Sequence, residues 1–286
     1  MTFSTRIAIN RYLGYFKTLL IYAILLLGVA AMAFPFLWMA STSLKGRTNL
    51  FIYPPQLIPK WPWRWQNYKD IFTLLPFAMG FVNSFKIAII NTAGTLLSST
   101  MAAFGFSKLR FRFRSQLFMI LLATMMIPGQ VTLIPMFVWF KNFGWIDTHY
   151  PLIVPAVLCN AYGVFLLRQF FMTIPDSYVE SAKIDGASYL TIFFRIMLPL
   201  CVPAMATLGV FSFMAHWNNF LNPLIFINSR VKFTIPLFLQ SFQSGYTTQW
   251  NLVMAAATMS ILPIIVIYIF AQRYFIEGVV LSGIKG

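Results

Sequence analysis

Long apolar runs separated by short polar stretches set the pattern of this chain. A helix crossing about 30 Å of hydrocarbon needs roughly 20 predominantly apolar residues. Six segments reach that length: 18–42, 82–106, 117–140, 150–170, 203–225 and 252–271. They predict six transmembrane helices. The first run carries no charge from Thr18 to Leu44, which is too long for a signal-peptide core, and it reads as a retained span. Pro35, Pro128, Pro135, Pro155 and Pro263 fall inside or near the runs. In a membrane, neighbouring helices and water satisfy the carbonyls that proline frees, so these prolines are not expected to break the spans.

One stretch interrupts the apolar pattern. Residues 180–199 carry Glu180, Lys183, Asp185 and Arg195 between two long apolar runs. Ser177 and Glu180 have capping-box spacing, and Asp176 adds negative charge where a helix start favours it. Gly186 stands where a first short helix should stop, because glycine adopts the left-handed conformation that ends a helix. Tyr189, Ile192, Phe193 and Ile196 follow as an apolar stripe at helical spacing. Pro199 and Pro203 mark the entry to the next span. The expected unit is a pair of short helices over about 177–199, folded around a glycine elbow.

Composition turns this pattern into a class. Of 286 residues, 59% are hydrophobic and 9% charged, where a soluble domain carries about a quarter charged residues. The expected fold class is an all-α integral membrane protein forming one membrane domain over 1–286. The net charge of +15 would suggest nucleic acid in a soluble protein, but here the basic residues lie between apolar runs, where they anchor and orient spans. Nucleic-acid binding is therefore not expected. Placing both termini in the cytoplasm puts the short Lys108–Arg114 cluster and the 180–199 island on the cytoplasmic side. The external loop over about 45–80 carries Pro54, Pro55, Pro59 and Pro62 with Trp61, Trp63 and Trp65. It reads either as an irregular loop whose tryptophans rest at the membrane interface or as a docking surface for an external partner. No Asp or Glu lies inside the six segments, which argues against the alternative of an ion-coupled secondary transporter, since those place acids in the membrane.

Catalytic chemistry is absent. The sequence has no G-x-x-x-x-G-K-[ST], no H-E-x-x-H and no Cys/His cluster, and its two cysteines, Cys159 and Cys201, sit in or beside apolar segments. No catalytic, cofactor-binding or metal-binding residue is expected. His149 reads as a solvated loop histidine. Polar groups inside hydrocarbon pair with one another or line a cavity. Asn91, Thr92, Thr95, Gln130 and Tyr162 are of this kind, and the candidate translocation path is Asn160, His216, Trp217, Asn218, Asn219 and Asn222. A sugar needs amides for its hydroxyls and aromatic faces for its rings, and residues 216–220 offer both. The competing reading is that these amides satisfy backbone at span ends or bond between helices, at roughly 0.6–2 kcal/mol each.

Glu180, Ala182, Gly186, Ile196, Leu198 and Pro199 fit the pattern E-A-A, three residues, G, nine residues, I-x-L-P, with Ser181 in place of the first alanine. The island resembles the cytoplasmic coupling motif of permease subunits in binding-protein-dependent ABC importers. Asn67-Tyr68, Asn83-Ser84, residues 165–171, Trp217-Asn218 and the closing segment 278–286 extend the likeness over most of the chain. It is nearest to the smaller permease of maltose-type and glycerol-phosphate-type uptake systems.

The resemblance implies a type I importer permease fold in the bacterial cytoplasmic (inner) membrane. It implies a second homologous permease, two copies of a cytosolic ATPase that bind ATP and Mg, an external solute-binding protein and a carbohydrate substrate. It assigns ATPase coupling to Glu180, Ala182, Asp185, Gly186, Ala187, Leu198 and Pro199. It also makes the loop at Gln243, Ser244, Gly245 and Tyr246 a candidate for reaching into the binding protein. The family often has an acid after Trp-Asn, where this chain has Asn219. Disaccharides, oligosaccharides, glycerol phosphates and acidic oligosaccharides all remain open as solutes.

Overall fold

The structure, a computed structural model, describes residues 3–158, 160–243 and 248–283, and the backbone alone for 3–13 and 274–283. All its regular elements among these residues are helical. The chain divides into two compact units, 1–73 with 242–259, and 74–241 with 260–286.

The first unit holds α1 (Phe3–Ser43) and α2 (Gln66–Leu74). The exit of α1 is stapled by the Asn67-Tyr68 pair. Asn67 Nδ2 donates to the carbonyls of Ser43 (2.7 Å) and Lys45 (3.0 Å), its Oδ1 accepts from Asn251 Nδ2 (2.9 Å), and Tyr68 Oη lies 2.6 Å from Ser43 Oγ. Buried amides hold backbone in this way because an unpaired carbonyl there costs about 1–3 kcal/mol. Trp61, Trp63 and Trp65 are exposed on the loop between the two helices.

The second unit is built around α3 (Phe77–Lys108), which packs against α6 (Tyr150–Leu158), α7 (Ala161–Thr173) and α11 (Val202–Trp217). Small residues make this possible. A Cβ on Gly94 would lie 2.5 Å from a Val157 methyl, and one on Gly163 would lie 2.7 Å from Ser99 Oγ. Helices in lipid approach closely where such residues meet. Asn91, Thr95 and Ser99, each four apart on α3, donate to the carbonyls of Leu152 (2.8 Å), Ala156 (3.1 Å) and Asn160 (3.5 Å). The two chain segments are thereby fixed in register.

Among the described residues, four helices are long and apolar enough to cross a membrane, or up to six if each bent pair counts as one span. The bends depart from the sequence reading. Residues 117–140 are not one straight helix: α4 (Arg114–Thr124) and α5 (Gly129–Asn142) meet at 92°. Pro128 is extended at ψ 130°, lacks an N–H, and disfavours helix at the residue before it. Residues 203–225 are also interrupted. α11 stops at Trp217, and a short α12 (Leu221–Phe226) follows. At its other end α11 bends by 77° from the preceding helical stretch.

That stretch is the island. α8 (Ser177–Ile184) is followed by α9 (Tyr189–Ile192), which continues through a π turn (Phe193–Met197) into α10 (Leu198–Leu200). After α12 come α13 (Ile235–Ser241) and the terminal α14 (Trp250–Gly283).

Candidate functional site

The glycine elbow forms as the sequence predicts. Gly186 has φ +80°. Its N–H donates to Lys183 O (3.0 Å) and the Ala187 N–H to Ala182 O (2.9 Å). This pair of bonds is the Schellman arrangement, which closes a helix through a left-handed residue. Lys183 Nζ then lies 3.4 Å over the Tyr189 ring, joining the two sides of the elbow. Ser188 opens the second helix by accepting from the Thr191 N–H at 3.2 Å. A serine just before a helical stripe was the available signal for this cap.

The capping box expected of Ser177 and Glu180 does not form. The residue before α8 is Asp176, which makes no capping bond. Its carboxylate instead takes Lys108 Nζ at 2.5 Å, while the same ammonium donates to Ile174 O at 2.6 Å. The Lys108 side chain is almost wholly buried and that of Asp176 largely exposed. The bond from Lys108 holds the Asp176 carboxyl below its ordinary range, with further help from that ammonium's charge. The end of α3 is thus tied to the start of α8.

Two faces of the island do different things. Val179, Ala182, Ile192, Phe193 and Met197 are buried in one hydrophobic cluster with Phe104 of α3, Leu167 and Phe171 of α7 and Leu208 of α11. Ala187 and Leu198 pack on its edge. Glu180, Ser181, Ile184, Asp185, Gly186 and Pro199 are exposed, Ile184 at 87%. The coupling residues expected from the resemblance therefore split into Ala182, Ala187 and Leu198 on the packed side and the rest on the outer side. An exposed, charged face that also presents large apolar side chains, Ile184 and Leu190 the most exposed of them, on a packed base is suited to seating in another protein.

A separate cavity of about 530 Å³ lies among α5, α6, α11 and α12. Four of the expected path residues, Asn160, His216, Asn219 and Asn222, line it together with Gln130 and Thr132. Trp217 and Asn218 do not. Trp217 is buried, stacks on Phe213 at 5.5 Å and donates from Nε1 to Ser260 O at 3.1 Å. Asn218 is exposed beyond the end of α11. The helix stops one residue after His216, so its neighbours in sequence do not continue the same face. Asn160 caps α7 through Gly163 N at 2.7 Å, and the Asn219 oxygen accepts from Asn222 N at 3.3 Å. Thr132 went unnoticed in the sequence, where one threonine in an apolar run gives no signal.

Outside both sites, His149 is half-buried rather than solvated, with Nε2 2.9 Å from Lys232 O. Of the expected binding-protein loop, Gln243 is exposed, while Ser244, Gly245 and Tyr246 lie outside the described residues, as does Cys159.

Residues 94–280 match the family described as binding-protein-dependent transport system inner membrane component. The chain belongs to this family. It is a multi-pass inner-membrane permease, and it works with a solute-binding protein and with other subunits of the transporter. The permease is 35% identical over 206 residues to AraQ, a permease protein of an arabinooligosaccharides transport system from Bacillus subtilis, covering 72% of this chain and 73% of the relative. It is 33% identical over 267 residues to UgpE, a permease protein of an sn-glycerol-3-phosphate transport system from Yersinia enterocolitica, covering 91% and 94%. It is 32% identical over 256 residues to YcjP, an inner membrane ABC transporter permease from Escherichia coli, covering 88% and 91%. Its fold is that of a permease in a bacterial ABC transporter involved in the import of the acidic polysaccharide alginate. That match has a TM-score of 0.77 at 21% identity, over 93% of this chain and 97% of the other.

Proposed function

We propose that this permease carries a carbohydrate into the cytoplasm by alternating access, driven by ATP hydrolysed on partner subunits. The observation that carries the reading is the island: an exposed face on α8 whose reverse side is packed into the cluster shared by α3, α7 and α11. A displacement of α8 cannot be absorbed locally, because close-packed interiors transmit strain rather than dissipate it. It moves the helices that approach the cavity. In this reading α8 seats in a cleft of a cytosolic ATPase, present in two copies that bind ATP and Mg. A second permease completes the pathway, and both termini of this chain are cytoplasmic. Residues 243–246 contact the external solute-binding protein in this reading.

The carbohydrate assignment is supported by the named roles of the relatives and by a cavity lined with amides and a histidine. The experiment is purification of the tagged chain from native membranes, followed by reconstitution of whatever accompanies it. Co-recovery of a second permease and an ATPase in a one-to-one-to-two ratio, with sugar uptake requiring ATP and the binding protein, is expected. Uptake by the chain alone without ATP overturns the reading.

A further inference from the structure

The cavity has a chemical bias, and Asn91 sharpens it. No Lys, Arg, Asp or Glu is among the described residues that line it. Elsewhere the chain does line a cavity with charge: the one beside α8 has Lys108, Arg110, Asp176, Glu180 and Lys183 in its wall. A site that binds a carboxylate or phosphate supplies an arginine, a lysine or a set of backbone N–H groups. The polar side chains of this wall are neutral amides, a hydroxyl and one imidazole, beside the start of α5 at Gly129 and Gln130.

The imidazole is not free to choose its tautomer. Asn91 is fully buried, and its Nδ2 lies 2.8 Å from Leu152 O and 3.1 Å from His216 Nδ1. A carbonyl only accepts, so the atom facing Leu152 O must be the amide nitrogen. That nitrogen has a second N–H, directed at His216 Nδ1, which must then accept. A proton on Nδ1 would set donor against donor. The proton of neutral His216 therefore sits on Nε2, the ring nitrogen that Asn91 leaves free on a side chain lining the cavity.

We infer that this cavity takes an uncharged, hydroxyl-rich solute, and that Asn91 is a positioning residue that makes His216 a fixed Nε2–H donor for reading it. The inference deepens the importer reading and rests on it. A single neutral hydrogen bond of about 0.5–1.5 kcal/mol corresponds to roughly a two- to twelvefold change in affinity.

The test uses the whole transporter, purified with its binding protein and trapped with vanadate, and reads the apparent Kd for retained radiolabelled solute. The probes are uncharged arabino- and malto-oligosaccharides, set against oligouronates and glycerol phosphate. At least one uncharged probe should be retained at least about tenfold more tightly than either anion. His216→Leu should weaken that retention about three- to tenfold, and His216→Gln, whose amide N–H reaches a similar point, should restore it to within about twofold. Asn91→Leu should match His216→Leu, and the double variant should be no worse than either alone. Tighter retention of an anion overturns the proposal, as does retention unchanged in His216→Leu. Should Asn91→Leu fail to assemble, wild-type selectivity and the two His216 variants still decide. If ATP drives uptake of none of the probes, the importer reading itself fails.

Discussion

Replacing Gly186 tests whether the elbow works through its backbone. An ideal Cβ at Gly186 meets nothing within 4 Å, so space within the chain is not limiting. What limits it is φ +80°, a region L-residues enter at a cost of about 1–2 kcal/mol. Asparagine tolerates this region better than alanine, and a β-branched residue tolerates it least, at about 2–3 kcal/mol. Opposing this strain are the two closing bonds to Lys183 O and Ala182 O, at 3.0 and 2.9 Å, each contributing about 0.5–1.5 kcal/mol. The balance is close, so Gly186→Asn should leave the cap formed, Gly186→Ala should leave it marginal, and Gly186→Val should open it. In reconstituted transporter the assay is solute moved per ATP hydrolysed. The expected ratio falls at most about threefold for Asn, roughly five- to tenfold for Ala and about tenfold or more for Val, following the factor of 5–30 that 1–2 kcal/mol represents. Equal damage from Asn and Val, or damage that follows side-chain volume, would refute the backbone account and place the sensitivity in contact with a partner.

Gly94→Ala should lower the thermal inactivation midpoint of the solubilised permease by an amount equivalent to about 1–3 kcal/mol, because its Cβ would sit 2.5 Å from a Val157 methyl. Adding Val157→Ala should recover most of that loss. Lys108→Met removes donors to Ile174 O and Asp176 at 2.6 and 2.5 Å; it should cost about 1–3 kcal/mol and raise hydrogen exchange at the start of α8.

Asp147 accepts from the Ser229 hydroxyl (2.5 Å), the amides of Ser229 (2.8 Å) and Asn228 (3.0 Å), and Lys232 Nζ (3.1 Å). These bonds, Ser229's first among them, hold its carboxyl far below the usual range against a smaller opposing effect of burial. A depressed carboxylate stabilises in full above its unfolded value, near pH 4, and that stability is lost as pH falls through the folded value. Exchange protection of the 228 and 229 amides should therefore persist at pH 4 and vanish in Asp147→Ala at any pH.

The all-helical, membrane-spanning character of the chain and the glycine elbow were legible because each rests on a local rule: hydrophobic length in one case, left-handed tolerance in the other. The bends were not. Pro128 was visible, but whether a membrane helix absorbs a proline or turns at it depends on which neighbours satisfy the freed groups, and the chain pattern does not encode that. The failed capping box has a similar cause. Ser177 and Glu180 had the right spacing, yet the helix begins one residue earlier than the box needs, and Lys108, distant in sequence, claims Asp176. Trp217 looked like a sugar platform by adjacency to His216. One residue around a helix is a turn of about 100°, enough to send the ring into the core while the imidazole faces the cavity.

The island also divides its labour in a way that bears on how such proteins diversify. Val179 and Ala182 are buried and present almost nothing outward, whereas Glu180, Ser181, Ile184 and Asp185 are exposed and add nothing to the buried cluster. The closing bonds at the elbow run through main-chain atoms and are indifferent to those four side chains. On the proposed function, substitutions on the outer face alter how α8 seats in the ATPase while the buried cluster stays intact, and substitutions inside the cluster alter how its movement is passed on. If α8 seats in an ATPase as proposed, a change of that partner requires substitutions on the outer face alone.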